Sequence, residues 1–277
     1  MTQIDEVADT AFLTAYARAL ETERDGALFR DPLAATLLSE RGRELGQHVF
    51  SAAMEWSIVV RTVLIDEMIA SAVAGGVTLV VNLGAGLDTR PYRMELPPTL
   101  RWLEVDQSSI ILHKSQRLAE ESPRCQLDRI AADLSDPPSR RELFASFMPN
   151  PAEAVLVVTE GVVPYWPNET VAAFAEDLHR VGALRGWIVD HIPPHVLAAR
   201  RKLAVNSEAA PLLFEPADWR GFFTQHGFRV ATLRNLFDEG LRVGRPMPLP
   251  PGAAVVSGDA NARAQAFPGY ALLEPSR

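Results

Sequence analysis

The fold of this chain is decided by the stretch Leu79-Val80-Val81-Asn82-Leu83-Gly84-Ala85-Gly86-Leu87-Asp88-Thr89-Arg90, followed by Trp102-Leu103-Glu104-Val105-Asp106. The largely apolar run from Val77 to Leu83 predicts a buried strand. The glycines after it permit a tight turn that a ligand can approach closely. The second run predicts a strand that ends in a carboxylate. This arrangement is typical of nucleoside-binding sites, in which the acid accepts hydrogen bonds from ribose hydroxyls.

The composition limits the classes of protein that need to be considered. The chain has 277 residues and a net charge of −8, which argues against a nucleic-acid partner and against an anionic membrane surface. Cys125 is its single cysteine, which excludes an intramolecular disulfide and a multi-cysteine metal site. We expect no bound metal. No apolar run reaches the roughly 18 residues that cross a bilayer, and no secretory signal opens the sequence. We expect a cytoplasmic protein; its oligomeric state stays open.

Short apolar runs alternate with helical patterns through most of the chain. Strands are predicted near residues 100–105, 126–131, 154–159 and 187–191, and helices near 10–23, 54–72, 108–120, 139–147 and 169–184. A further helix is predicted to start at Asp31-Pro32-Leu33, with proline in its first turn. This alternation predicts an α/β fold of the Rossmann-like type, with a mostly parallel central sheet, helices on both faces and an N-terminal helical cap. Beyond residue 193 weaker patterns predict helices near 194–205 and 216–226, a strand near 228–232 and a final edge strand near 270–273.

One domain, 1–277, is the predicted organisation. Residues 1–75 would form the helical cap, residues 76–193 the cofactor-binding core, and residues 194–277 a C-terminal region on the substrate side.

Acidic residues close four of the five predicted strands of the core, at Asp106, Asp133, Glu160 and Asp190. Ligands of a parallel sheet bind at the carboxyl ends of its strands. A phosphate group would favour bare amides and basic side chains there, whereas a neutral or cationic nucleoside suits acids. S-adenosyl-L-methionine (SAM), with its sulfonium and amino groups, meets these demands.

Each acid has a natural partner on that molecule. Asp106 would hold the ribose, Asp133 and the Leu134 amide the adenine, and Glu160 a positively charged part. The carboxylate of the methionine portion would need a cation, and Arg18 and Arg61 are available on the preceding helices.

At these residues the chain resembles the SAM-dependent methyltransferases of the leucine carboxyl methyltransferase type, whose bacterial branch includes polyketide-tailoring O-methyltransferases. The resemblance runs from about residue 11 to 185 and rests on these stretches: Ala15-Tyr16-Ala17-Arg18-Ala19-Leu20-Glu21, Asp31-Pro32-Leu33-Ala34, Arg61-Thr62-Val63-Leu64-Ile65-Asp66, Val81 to Arg90, Glu104-Val105-Asp106 with Lys114, Ala132-Asp133-Leu134, and Thr159-Glu160-Gly161 leading to Tyr165.

The resemblance implies a role for each matching position. It implies that Arg18 and Arg61 hold the methionine carboxylate, and that Gly84, in the turn with Ala85 and Gly86, lines the methionine portion. The nucleoside and amino-group roles agree with those above: Asp106 for the ribose, Asp133 and Leu134 for the adenine, Glu160 at the amino-acid end. Asp88 and Arg90 have a competing structural role, in which they lock the turn against the sheet.

The loop after Glu160-Gly161 departs from the family pattern. It reads Val162-Val163-Pro164-Tyr165-Trp166-Pro167, and its two prolines should stiffen it and reshape the pocket wall. Inherited acceptor specificity is therefore in doubt.

The predicted function is that of an O-methyltransferase acting on a small-molecule or carrier-bound natural product, with a carboxylate as the first choice of acceptor. A carboxylate needs no general base, whereas a phenol or alcohol acceptor would, and His191 or His195 are then candidates. Tyr165 could orient the acceptor. No catalytic residue is assigned, because a structural hydrogen bond is the favoured role of each histidine, and an aromatic residue in a proline-containing loop is as often part of the packing.

Two other functions stay open at this stage. An NAD-dependent oxidoreductase could use the same turn and Asp106, but it should show a third glycine near position 89, where a threonine stands. A SAM-binding protein without transferase activity would share every cofactor residue.

Overall fold

Seven strands form a single sheet in the computed structural model, which describes residues 7–146, 153–202, 211–248 and 259–276. The order across the sheet is β3-β2-β1-β4-β5-β7-β6. Neighbours among the first five strands run parallel, whereas β7 is antiparallel to both β5 and β6. The strands are β1 (Leu79–Leu83), β2 (Arg101–Asp106), β3 (Gln126–Ala131), β4 (Val155–Thr159), β5 (Leu184–His191), β6 (Phe228–Asn235) and β7 (Gly269–Pro275).

Helices cover both faces of this sheet, and four of them build a cap before the first strand. The cap helices are α1 (Val7–Glu23), α2 (Pro32–Leu37), α3 (Glu40–Val49) and α4 (Ala52–Ala74). The later ones are α5 (Arg90–Arg93), α6 (Ser108–Arg117), α7 (Pro137–Ser146), α8 (Asn168–His179), α9 (Pro194–Lys202), α10 (Trp219–Gln225), α11 (Leu236–Arg242) and α12 (Ala260–Ala266), and a short 3₁₀ helix spans Val163–Tyr165.

The two central strands, β1 and β4, are buried along their whole length. Strands covered on both faces read as continuous apolar runs, which is why these two were visible in the sequence. One layer of the core packs α7, α8 and α10 against the sheet, and the other packs α4 against the opposite face. The carboxyl ends of β1 to β5 consequently share one edge, and the cap helices reach over it.

The predicted fold class is confirmed, and several details of the sequence reading are wrong. The last strand is not an edge strand: β7 lies between β5 and β6, where Ala271 and Leu273 are fully buried. The helix predicted to reach residue 184 ends at His179, since Leu184 already pairs with Val155 in the sheet. Helices α3, α11 and α12 were not predicted. The predicted end of the helix near residue 205 lies outside the described residues.

Within the described ranges no helix combines the length and apolar character needed to span a membrane. The same part of the chain contains no cluster of histidine, cysteine and acidic side chains suited to a metal ion.

Candidate active site

A cavity of about 950 Å³ opens at the carboxyl edge of the sheet, beneath the cap. All nine residues predicted to bind the cofactor line it: Arg18, Arg61, Gly84, Ala85, Gly86, Asp106, Asp133, Leu134 and Glu160. Of the three side chains considered for the acceptor, Tyr165 and His195 line the cavity, and His191 is not among the described lining residues. The volume is near the upper end of the range for small-molecule sites, roughly 300–1,000 Å³. It therefore has room for a second molecule beside a cofactor.

The glycine turn after β1 packs directly against the loop after β4. Gly84 adopts a left-handed backbone conformation, with φ of 70°, and a Cβ atom added there would lie 2.3 Å from Cγ2 of Val162. The amides of Gly84 and Ala85 donate to the carbonyl of Val105, at 2.8 and 3.0 Å. The turn is thereby fixed between β2 and the Glu160 loop, and a side chain at Gly84 would force them apart.

Asp106, at the end of β2, is held by two backbone amides. Its Oδ2 accepts from the Gly86 amide and its Oδ1 from the Gln107 amide, both at 2.7 Å. Burial raises the pKa of this carboxyl above its usual value, although both amides and Lys114 act in the opposite direction. The side chain is fixed in position and still lines the cavity, where its remaining lone pairs can accept hydrogen bonds.

The end of β3 supplies the second acid. Oδ1 of Asp133 accepts from the amide and the hydroxyl of Ser135, at 2.8 and 2.6 Å. The carbonyl of the next residue, Leu134, accepts from Nη1 of Arg140 at 3.1 Å. This segment is therefore a rigid turn that places a carboxylate and a buried leucine against the cavity.

Arg18 reaches the cavity from α1 and is anchored on both sides. Its Nε donates to Oδ2 of Asp31 at 2.8 Å, and its Nη2 donates to the carbonyl of Leu87 at 2.6 Å. Asp31 also caps α2 and accepts from the hydroxyl of Thr89 at 2.6 Å. The sequence reading took Asp31 only as a helix start. The structure shows that it fixes Arg18 against the glycine turn.

Glu160, after β4, lies between two arginines. Its Oε1 is 2.8 Å from Nε of Arg61, and its Oε2 accepts from Nη1 of Arg90 at 2.8 Å. Burial alone would raise the pKa of this carboxyl, but the two guanidinium groups outweigh it and lower the pKa. The Nε of Arg61 is buried and makes no well-aligned hydrogen bond with the described residues, so the contact is an ion pair.

Asp88 and Arg90 have the structural role that the sequence allowed. Asp88 accepts from the side-chain amide of Asn82, from the backbone amide of Arg90 and from the Arg90 guanidinium, at 2.8 to 2.9 Å. Arg90 is almost fully buried and also donates to Asp66 of α4 at 2.6 Å. Together they tie the turn to the sheet and to the cap.

Many of the other residues that line the cavity are apolar or aromatic. Phe237 of α11 stacks on Phe267, with ring centres 4.4 Å apart and planes 12° apart. Trp56 of α4 is fixed by a hydrogen bond from its Nε1 to the carbonyl of Arg245, at 2.7 Å. Further apolar and aromatic lining residues, which with these three are called the apolar half below, are Met54, Ile58, Tyr165, Trp166, Val196, Leu212, Leu236, Met247 and Pro268.

Most of this apolar lining was missed by the sequence reading, although part of it carried a usable signal. Met54, Ile58 and Arg61 follow helical spacing on α4, so a face predicted to present Arg61 also presents the other two. The same holds for Ala11, Thr14 and Arg18 on α1. By contrast, Phe237 and Phe267 come from distant segments whose meeting depends on the insertion of β7, and nothing local marks them.

The two histidines hold one wall of the apolar half. Nε2 of His195 lies 2.9 Å from the carbonyl oxygen of Ala266. His191 is buried beside Trp219 and hydrogen bonds the backbone of Phe267. Burial and the nearby Arg220 lower the pKa of His191 to about 4, so its ring is neutral at physiological pH.

The side chains around the cavity fit SAM. Among the described lining residues are four carboxylates and two arginines. Arg61 pairs with Glu160, and Arg18 is held against the glycine turn at the Leu87 carbonyl. The buried, poorly paired Nε of Arg61 is an orphaned donor of the kind an anionic group would satisfy. Where a dinucleotide turn would have its third glycine, this chain has Thr89, whose hydroxyl donates to Asp31.

The sheet order, the antiparallel β7 and the acid-lined glycine turn define the chain as a Rossmann-like class I SAM-dependent methyltransferase. Solved structures agree on the fold. A methyltransferase from Thermobifida fusca matches with a TM-score of 0.63 at 13% identity, over 100% of this chain and 97% of that one. The magnesium protoporphyrin IX methyltransferase of Synechocystis, solved with S-adenosylhomocysteine bound, matches with a TM-score of 0.52 at 14% identity, over 86% and 95% of the two chains.

Sequence comparison gives the family. The leucine carboxyl methyltransferase family matches residues 11–179, which is more than half of the chain, and the chain belongs to that family. A protein of Frankia alni, provisionally named an S-adenosyl-L-methionine-dependent methyltransferase, is 32% identical over 257 residues, covering 87% of this chain and 88% of its own. A relative in Streptomyces avermitilis with the same kind of name is 31% identical and covers 87% and 89%. The cofactor is SAM, as the sequence predicted.

Proposed function

We propose that this chain is an O-methyltransferase that transfers the methyl group of SAM to an oxygen of a small-molecule or carrier-bound natural product, with a carboxylate as the acceptor. One observation carries the proposal. Arg18, Arg61, Asp106, Asp133 and Glu160, which are far apart in sequence, line one cavity that continues into an aromatic compartment. The family, whose name refers to a carboxyl acceptor, supports an oxygen target.

The nucleoside half of the cofactor would bind at the ends of β2 and β3. Asp106, held by two amides, would accept hydrogen bonds from the ribose hydroxyls. Asp133 would accept from the adenine amino group, and the Leu134 amide would face a ring nitrogen.

The amino-acid half would bind beside the cap. Arg18 and Arg61 would pair with the methionine carboxylate, because both line the cavity and both are already fixed by neighbouring acids. Glu160 would lie near the amino group, with the backbone carbonyl of Gly84 as a further acceptor. The negative charge of Glu160 is secured by its lowered pKa.

When bound, SAM supplies an electrophilic methyl group on a sulfonium; the acceptor oxygen forms the new C–O bond as the S–C bond breaks and its electron pair returns to sulfur. The chain has to orient the acceptor, exclude water and keep the acceptor ionised. The aromatic compartment serves the first two needs. An acceptor carboxylate is already ionised at neutral pH and needs no base from the protein.

A hydroxyl or phenol acceptor is the second candidate, and His195 favours it. A carbonyl can only accept, so a neutral His195 carries its proton on Nε2, toward Ala266, and its Nδ1 is left as an acceptor. The residue itself lines the cavity. His195 is thus better placed to act as a base than His191, whose buried ring is not among the described lining residues.

The test pairs carboxylic acids with phenols of the same carbon skeleton, incubated with the protein and SAM and followed by mass spectrometry. A fourteen-dalton gain on the acids that mild base reverses identifies methyl esters and supports the carboxylate. A gain that survives base identifies ethers, and His195→Ala should then lower the rate by about 10²- to 10⁴-fold. If SAM binds but no acceptor in a broad panel gains a methyl group, the non-catalytic alternative is favoured instead.

A further inference from the structure

Behind the cavity, a buried aspartate and a buried tyrosine face each other across two antiparallel strands. Asp190 of β5 is paired in register with Tyr270 of β7. The tyrosine hydroxyl donates to Oδ1 of Asp190 at 2.8 Å. Both residues are over nine-tenths buried, and neither is among the described residues that line the cavity. The pair therefore does not line the cavity, although Asp190 contacts Gly161, which does.

The other partner of Asp190 belongs to the loop that carries Glu160. The amide of Gly161 donates to both carboxylate oxygens of Asp190, at 3.2 and 3.0 Å. Gly161 has a φ of 68°, a left-handed conformation that only glycine adopts freely. Because the Glu160–Gly161 peptide is held in one orientation, the direction in which the Glu160 side chain leaves the backbone is fixed as well.

Glu160 in turn orients Arg61. The ion pair at 2.8 Å joins them, and Arg61 also lies within the electrostatic reach of Tyr270, Asp190 and Tyr165. Although its own burial opposes the charged form, these neighbours raise the pKa of Arg61 further above its usual value. Burial and the adjacent carboxylate raise the pKa of Tyr270 well above its usual value, so its hydroxyl keeps its proton and remains a donor.

We propose that Asp190 and Tyr270 are positioning residues for the amino-acid end of the cofactor: they fix the Glu160–Gly161 peptide, and through Glu160 they fix Arg61. The inference rests on the proposed placement of the methionine portion beside these two side chains. The strand that completes the sheet out of sequence order thereby contributes to cofactor affinity without touching the cofactor.

The inference is tested with two ligands that differ at one end. SAM carries the amino and carboxylate groups, whereas 5′-methylthioadenosine has the same nucleoside and lacks both. Calorimetry of Tyr270→Phe should show SAM binding weakened by about three- to tenfold, with methylthioadenosine binding unchanged within about twofold. Binding of the second ligand also reports that the variant is folded, so a loss of structure and a loss of positioning are distinguished.

The matched control is Tyr92→Phe. Tyr92 is also buried, and its hydroxyl accepts from a charged group, Nη2 of Arg129, at 2.6 Å. It is not among the described residues of the cavity, and its removal should change neither affinity.

Asp190→Asn tests the same inference from the other side of the hydrogen bond. In Asp190→Asn an NH₂ group replaces one of the two carboxylate oxygens that accept from the Gly161 amide, so that amide loses one of its two acceptors. SAM binding should therefore weaken at least as much as in Tyr270→Phe, and the double variant should lose no more than the worse single variant, because both act through one peptide.

Two results would overturn the inference: equal weakening of both ligands in either variant, or additive losses in the double variant. Failure of the proposed cofactor placement looks different. In that case the unchanged protein itself would bind SAM no more tightly than methylthioadenosine.

Discussion

Replacing Gly84 with alanine should both destabilise the chain and weaken cofactor binding. The added Cβ would lie 2.3 Å from Cγ2 of Val162, well inside any contact that real Cβ atoms make, and the residue has a φ of 70°. Either the glycine turn or the loop after Glu160 must move. Since both line the cavity, the damage should reach the binding site.

The loss of unfolding free energy expected for Gly84→Ala has two parts, the backbone conformation and the contact with Val162. A left-handed residue with a Cβ costs about 1–2 kcal/mol, and overpacking costs about 1–3 kcal/mol more. Gly26 provides the control for the first part alone, because its φ is 68° and a Cβ there would meet nothing within 4 Å. We therefore expect Gly84→Ala to lower the free energy of unfolding by about 2–5 kcal/mol, and Gly26→Ala by about 1–2 kcal/mol.

Urea unfolding of the two variants measures the difference, and calorimetry with SAM measures the effect on the site. Gly84→Ala should weaken SAM by about tenfold or more, whereas Gly26→Ala should not. Combining Gly84→Ala with Val162→Ala, which removes the opposing methyl groups, should recover part of the stability. Losses of unfolding free energy at independent sites add within about 0.5 kcal/mol. If the losses caused by Gly84→Ala and Gly26→Ala differ by less than that, the contact with Val162 is not what constrains Gly84.

Three further predictions follow from single side chains. Asp106→Ala should weaken the binding of SAM, measured by calorimetry, by about 10- to 100-fold, because charge-assisted hydrogen bonds are lost. Asp128 is an exposed aspartate on β3, and Asp128→Ala should leave the affinity for SAM unchanged. Equal effects of the two variants would show that Asp106 is not part of the site. Burial raises the pKa of Asp190 to about 6, so the folded state favours the protonated carboxyl. The stability that this raised pKa contributes is complete below about pH 4 and is lost as the pH rises through 6. Between pH 4 and 7 in urea unfolding, the free energy of unfolding of Asp190→Asn should therefore rise by about 3 kcal/mol relative to that of the unchanged protein. A difference between the two proteins that does not change with pH would contradict the shift. Lys114→Met removes one of the two cations that pair with the fully buried Glu104 and leaves Arg129. It should cost up to about 3–5 kcal/mol, against about 0–1 kcal/mol for Arg229→Met in an exposed pair; similar losses in thermal unfolding would show that burial is not the cause.

The cofactor half of the site was predictable because its geometry is local. A glycine turn follows its own strand within a few residues, and an acid at the end of a parallel strand has to lie at the same edge as the others. Asp106, Asp133 and Glu160 can therefore be grouped from the sequence alone. Arg18 and Arg61 were reached only through the family resemblance and the need for a cation, since their helices have no fixed position in a sheet.

The acceptor half could not be obtained in the same way. Phe237 and Phe267 stack because α11 and the segment before β7 meet, and Trp56 joins them through a bond to the distant Arg245. Helical and strand periodicity report which face of an element is buried, but they carry no information on which remote element covers it.

By itself the sequence determined the alternating strands and helices of the core, the nucleotide-type turn and the acids that surround it, because each depends on residues close in the chain or on the shared edge of a parallel sheet. Tertiary structure alone decided that the last strand inserts between β5 and β6, that Asp31 fixes Arg18, and that Tyr270 reaches Asp190. These contacts join residues from 13 to 80 positions apart. Pairings over such separations are selected by the packing of the whole core, and no local pattern specifies them.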